Sequence, residues 1–414
     1  MHCNIRVNPK WQYRSHRDSS TRPGGSMAKN SAASTTTPST PIDLALQGGG
    51  SHGAFTWGVL DALLEDGRLA FDGVSGTSAG AMNAAVLACG YERGLAVSHG
   101  DATAARGEAR KALRDFWSEI GGASGCFGPH AGSAGSPGHA GVSDSLWPSW
   151  MFNLDSWPMY GMWNAWMQQF SPYQLNPLNV NPLRQILERH VQPRWLCQPN
   201  PAMQVFVTAT AVSTGAARVF SGAELTIDAL LASACLPHMF QAVEIDGEAY
   251  WDGGYAGNPA LWPLVDHTDA LDLLLVQINP RVRPGVPKTA GEISDRLSEI
   301  TFNASLVAQM RAIEFVQRLV GEGRLDDKAY KNLRLHRVAD EEGLAPYDTS
   351  SMRNTDPRLL DALFHLGRGA GERWLAEHFA DVGQRGSTSI REVYLQGAQG
   401  TPGGKARQPV SAAR

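Results

Sequence analysis

The sequence predicts an α/β fold: a three-layer α/β/α sandwich with a mostly parallel central sheet and a helical C-terminal extension. Three observations carry this expectation. Leu44-Ala45-Leu46 reads as a short buried strand that runs into a Gly-rich turn and then a helical pattern over 54–65. A second hydrophobic strand candidate ends at Gly76-Thr77-Ser78-Ala79-Gly80, with an alanine-rich helix behind it. The run 271–278 is almost continuously apolar, as expected of a strand buried on both faces. Strands alternating with helices over this length build a sheet covered by helices.

Residues 1–41 are polar, rich in Ser, Thr, Arg and Pro, and lack an apolar signal-peptide core. They are expected to be disordered, with Met27 a candidate for the true start. The first informative element is Gln47-Gly48-Gly49-Gly50-Ser51-His52-Gly53. Consecutive glycines between strand and helix leave backbone N–H groups bare and able to approach a ligand. Three readings stand. Gly48, Gly50 and Gly53 fit the G-x-G-x-x-G of a dinucleotide turn; the turn is purely structural; or its amides form an oxyanion hole. The dinucleotide reading wants an acidic residue about 20 positions on, closing a second strand. Asp72 is at that distance, but it leads into the strand that carries Ser78.

Gly76-Thr77-Ser78-Ala79-Gly80 has the G-x-S-x-G form of a nucleophile elbow. In that turn the serine sits on a sharp strand-to-helix bend, and the flanking glycines remove side chains that would clash. Ser78 then lies just ahead of a helix N-terminus, which favours developing negative charge. Further on, Glu248-Ala249-Tyr250-Trp251 suggests a short strand that ends in Asp252-Gly253-Gly254. This holds an aspartate at a cleft edge, or is an ordinary Asp-Gly hairpin turn.

Taken in order, the Gly-rich turn, G-x-S-x-G and D-G-G strongly resemble the patatin-like phospholipase family over roughly residues 43–266. Ala232-Ser233-Ala234-Cys235-Leu236-Pro237 is similar to that family's A-S-x-x-x-P segment. The resemblance implies Ser78 as nucleophile, Asp252 as general base, and Gly48, Gly49 and Gly50 as oxyanion hole. His52, Gly53, Gly76, Gly80, Gly253 and Gly254 complete the motifs. One departure is His52, which stands where the family usually has Arg or Lys. A histidine there would hold an anion well only when protonated.

The chemistry is self-consistent. A serine hydroxyl is a weak nucleophile until a base takes its proton. A carboxylate with its ordinary pKa near ~3.9 is a poor base in water, so Asp252 needs a partly dehydrated site. The dyad would attack an ester carbonyl, form an acyl-enzyme and release it to water, with neither metal nor organic cofactor. The competing Ser-Asp-His order has His267, His336, His365 and His378 available after Asp252, and none lies in a Gly-flanked loop. The expected function is a serine acyl hydrolase on lipid esters, of phospholipase A or lysophospholipase type. A soluble carboxylesterase or thioesterase, an intracellular polyester depolymerase, and a catalytically silent lipid-binding module are the alternatives.

Composition fits a globular enzyme: 43% hydrophobic and 18% charged residues suffice for a large core. A net charge of −4 argues against nucleic acid as a partner. Cysteines at 3, 89, 126, 197 and 235 follow no metal spacing, and an odd, sparse set fits a reducing, cytoplasmic setting. No window approaches a transmembrane span.

The catalytic domain is expected over 42–266, with an insertion at about 121–173. The insertion opens with a Gly/Ala/Ser-rich stretch, 121–143, and continues with Trp147, Trp150, Trp157, Trp163 and Trp166 among four methionines. Indole rings favour lipid–water interfaces and methionine adapts to irregular apolar ligands. Segment 145–170 is thus read either as a lid or acyl-binding wall in peripheral contact with a membrane, or as a helical hairpin folded on the core. Asn-Pro steps across 171–183 predict a loop before a helix at 183–190. Strands at 204–212 and 217–220, a helix at 226–235, a long helix at 290–322, an edge strand at 333–338 and a helix at 357–382 follow. The parts from 267 to 387 are expected to pack on the same domain, and 388–414 to be a disordered tail.

Overall fold

The computed structural model describes residues 39–123 and 170–396, apart from 284, 327 and 348. Strand β1 (Thr40–Leu46) shows why the chain is layered. Ile42, Leu44 and Leu46 join one hydrophobic cluster and Ala45 joins another. A strand apolar on both faces must be covered on both. It lies within an eight-stranded sheet whose other members are β2 (Leu69–Thr77), β3 (Gln204–Ala211), β4 (Ala217–Ser221), β5 (Val243–Ile245), β6 (Glu248–Asp252), β7 (Asp272–Val276) and β8 (Arg334–Val338). The order is β5-β6-β3-β2-β1-β7-β8, with β4 on β3. Strands β3, β2, β1, β7 and β8 are mutually parallel, whereas β4 and β6 pair antiparallel with β3, and β5 antiparallel with β6.

The main helices are α1 (Gly53–Asp66), α2 (Ala79–Val97), α3 (Ala102–Gly122), α4 (Pro182–His190), α5 (Ile227–Ser233), α6 (Trp262–His267), α7 (Ala290–Gly321) and α8 (Pro357–His378). Phe55, Leu60, Leu87, Phe116 and Leu363 from α1, α2, α3 and α8 cover one face of the sheet. Leu264, Leu306 and Met310 from α6 and α7 cover the other. The expected α/β/α sandwich with a mostly parallel sheet and a helical C-terminal region is therefore observed.

Four local expectations change. The Asp-Gly hairpin turn falls at Asp246-Gly247, both at positive φ between β5 and β6, and not at Asp252-Gly253. The loop expected over 171–183 contains one helical turn, Pro172–Leu175, closed by a capping box between Ser171 and Gln174. Residues 388–396, expected in a disordered tail, pack on the second face: Ile390 and Tyr394 are buried, and the Tyr394 hydroxyl donates to Gln277 Oε1 at 2.8 Å. The polar residues beyond them masked two apolar anchors four positions apart. Of the segment 1–41 expected to be disordered, Thr40 and Pro41 instead open β1, while 1–38 and the Trp-rich segment, Phe170 excepted, lie outside the described residues.

Candidate active site

Pairing along β3 explains why Ser78 and Asp252 meet. Residues 206–208 pair with β2 on one edge and β4 on the other, and 209–210 pair with β4 and β6. Strand β6 thus takes over the edge of β3 that β2 leaves. The last rung of β2 is Thr77↔Thr208, and the neighbouring rung is Ala209↔Asp252. Ser78, one residue beyond β2, and Asp252, the last residue of β6, come together at this handover. Both line the same cavity, and the Ser78 hydroxyl is near enough to favour the charged form of the Asp252 carboxyl.

Ser78 takes φ 53° and ψ −122°, a left-handed conformation that is costly for serine. Its surroundings impose it. The Ser78 N–H donates to Ser233 Oγ at 2.9 Å, and Ser233 Oγ donates to the Thr208 carbonyl at 2.6 Å. The Ala-Ser segment noted in the sequence therefore props the elbow from α5. Close packing requires glycine at 76 and at 80: a Cβ on Gly76 would overlap the Gly80 carbonyl. A Cβ on Gly80 would in turn overlap the Leu46 carbonyl.

Asp252 is buried, at 2% exposure. Removal from water pushes its carboxyl up to about 6, opposed by the Gly254 N–H, which donates to Oδ1 at 2.7 Å, and by the Ser78 hydroxyl. Desolvation wins because the Gly254 N–H and a nearby hydroxyl replace only part of the lost hydration. Gly253 lies so close to the Thr208 carbonyl that no side chain fits there, and Gly254 is flanked by Asp252 Oδ1 and Phe302.

The Gly-rich turn sits beside this pair. A Cβ on Gly48 would lie 2.7 Å from Ser78 Cβ, and one on Gly49 would lie 2.9 Å from Ile278. Gly50 has φ 56° and abuts the Met352 carbonyl. The Gly48 N–H is engaged, donating to Asn258 Oδ1 at 2.7 Å. Among the described residues the N–H groups of Gly49 and Gly50 have no backbone or side-chain acceptor. Gly53 faces Ala79 and Trp117. His52 is buried with Nε2 2.7 Å from Ser351 Oγ and its ring edge-on to Tyr347, so it does not line the cavity.

Ser78, Asp252 and Gly48–Ser51 open onto a cavity of about 330 Å³. Met82, Phe116, Trp117, Ile120, Leu183 and Phe240 make an apolar wall. Ser294, Asp295, Ser298 and Phe302 of α7 and Arg353 line it from elsewhere. These α7 and 352–355 residues escaped the sequence reading because they lie far along the chain from the motifs. The histidines set against a Ser-Asp dyad lie elsewhere: His267 stacks on Phe206, His336 is buried on Asp272 and Ser387, and His365 and His378 pair with carboxylates of their own segment. His238, at the exposed mouth, makes no hydrogen bond among the described residues. Asp72 accepts the N–H groups of Asp269 and Ala270, which ties it to the loop before β7 and leaves no ribose ligand in its place.

A family model described as patatin-like phospholipase matches residues 44–265, just over half of the 414-residue chain. No relative is found among curated proteins. Among solved structures, the crystal structure of VipD from Legionella pneumophila is similar at 14% identity and a TM-score of 0.33, over 82% of this chain and 67% of that one.

Proposed function

The chain belongs to the patatin-like phospholipase family, which are lipid acyl hydrolases, and we propose that it cleaves acyl esters of lipids through Ser78 and Asp252. The observation that carries this reading is the meeting of Ser78, on its strained elbow, with the buried Asp252 carboxylate in one cavity, where burial raises that carboxyl to about 6. A base with that proton affinity is ionised at neutral pH and still able to take the serine proton. Ser78 Oγ attacks the ester carbonyl as its proton passes to Asp252. The N–H groups of Gly49 and Gly50 receive the developing oxyanion, and each such donor contributes about 3–4 kcal/mol in comparable sites. Gly48 contributes room and not a donor, since its N–H is held by Asn258. The tetrahedral adduct collapses, Asp252 returns the proton to the leaving alcohol, and an acyl-enzyme remains. Water, deprotonated by Asp252, releases the fatty acid and restores Ser78. The apolar wall of Phe116, Trp117, Ile120 and Leu183 suits the acyl chain.

The lipid surface is met at a rim formed by the residues that follow the Trp-rich stretch 145–170 in sequence. Just after that segment, Tyr173, Leu175, Leu178 and Val180 are exposed, Leu178 at 84%. Tyr173 and Asn176 bond to residues 241–242, next to the cavity-lining Phe240. No charge occurs between 170 and 183. Among the described residues no helix is long and apolar enough to cross a membrane.

The test is release of fatty acid from phosphatidylcholine by the purified full chain. Wild type is expected to turn over, and Ser78→Ala to lose at least about a thousandfold in kcat while keeping its fold. Equal rates in the two would remove Ser78 from the chemistry.

A further inference from the structure

Strands β1 and β7 stop pairing at Leu46↔Val276, so the backbone of Gly48 has no strand beside it. A buried peptide group without partners costs a few kcal/mol. Here two side-chain carboxamides, which carry the same donor and acceptor as a peptide, take the strand's place. Asn258 Oδ1 accepts from the Gly48 N–H at 2.7 Å. Asn279 Nδ2 and Asn258 Nδ2 donate to the Gly48 carbonyl at 2.7 and 3.3 Å. Both asparagines are 1% exposed.

They are braced in turn. Gln47 Oε1 accepts from the N–H groups of Ile278 and Asn279, each at 3.0 Å, and from Asn279 Nδ2 at 3.2 Å. Gln47 Nε2 donates to the Asn258 carbonyl at 3.3 Å and to Asn303 Oδ1 of α7 at 3.4 Å. On the other side, the hydroxyls of Thr77 and Ser75 donate to the carbonyls of Gly257 and Ala260, at 2.7 and 2.5 Å. The segment that bears Asn258 is thereby pinned to β2, the strand that delivers Ser78.

We propose that Asn258 and Asn279 are positioning residues for the Gly-rich turn: they clamp Gly48 against Ser78 and so fix where the Gly49 and Gly50 N–H groups point. The inference rests on the oxyanion reading given above. Gly48 lies so close to the Thr77 carbonyl and Ser78 Cβ that an added Cβ would overlap both, so a displacement of Gly48 moves the donors relative to Ser78. Misplacing a preorganised donor by about 1 Å costs on the order of 100-fold in rate. The clamp is neutral, so it acts through geometry and adds no titration of its own.

The experiment uses the full chain with a soluble short-chain p-nitrophenyl ester. Asn258→Leu and Asn279→Leu keep the side-chain volume and remove the hydrogen bonds; Asn258→Ser serves where the leucine variant does not fold. In variants that keep a cooperative thermal transition, kcat is expected to fall about tenfold or more while KM stays within about twofold. Variants that fold and keep wild-type kcat, or that lose only thermal stability or KM, overturn the clamp. Wild-type and Ser78→Ala rates are measured beside them. Should those two be equal, the catalytic reading itself fails, and the clamp falls with it.

Discussion

At the scale of single residues, the site depends on a carboxylate held where its ordinary pKa is lost. Asp252 must be ionised to act as base, and its folded-state pKa is raised to about 6 by burial. The sign follows directly: protonation removes the base, so kcat/KM on a soluble ester falls as pH drops through about 6 and is level above it. A limb centred near ~4, the value of an ordinary solvated carboxylate, would contradict the buried-base account. Much of this was legible in the chain. G-x-S-x-G, D-G-G and the Gly-rich turn are local signals, because steric demands at Ser78, Gly50 and Gly80 must be met by the residues themselves. Asn258, Asn279 and Gln47 were not legible. A carboxamide carries no local signature, and these pair across more than 200 positions of sequence.

At the scale of elements, the helix beyond the family-matched region is built into the core. Helices α1 and α8 cross at glycine on both sides: a Cβ on Gly58 would overlap the Phe364 carbonyl, and one on Gly367 the Phe55 carbonyl. Asp61, buried on α1, pairs with Arg110 of α3 at 2.7 Å and with Arg368 of α8. Gly367→Ala is expected to force the helices apart and cost about 3 kcal/mol. Gly369→Ala, whose Cβ meets only the Arg373 side chain, is expected to leave stability unchanged or raise it by about 0.5–1 kcal/mol through helix propensity. Chemical denaturation of both variants checks the contrast; equal effects would mean that α8 does not pack as described. The periodicity of 357–382 revealed this helix and 271–278 revealed β7, since burial writes itself into hydrophobic spacing. The antiparallel β5 was missed because three residues are too few to show a period. The burial of Ile390 and Tyr394 was missed because a polar tail follows them.

At the scale of the whole molecule, two surfaces must cooperate: a rim that meets lipid and a cavity that cuts it. Leu178→Asp with Val180→Asp alters only exposed side chains outside the cavity lining. Hydrolysis of phosphatidylcholine vesicles is expected to drop several-fold, with turnover of a soluble ester retained, because each aspartate on an apolar contact surface costs on the order of 1 kcal/mol or more of lipid affinity. Equal activity on vesicles would remove this rim from the contact. The chain's central claim, however, concerns Ser78 activated by Asp252, and it is tested most directly by fluorophosphonate labelling read by mass spectrometry. The account predicts one phosphonyl adduct on Ser78 in the wild type and none in Asp252→Asn within the same reaction time. Rapid labelling of Asp252→Asn at Ser78, or an adduct on another serine, would contradict it.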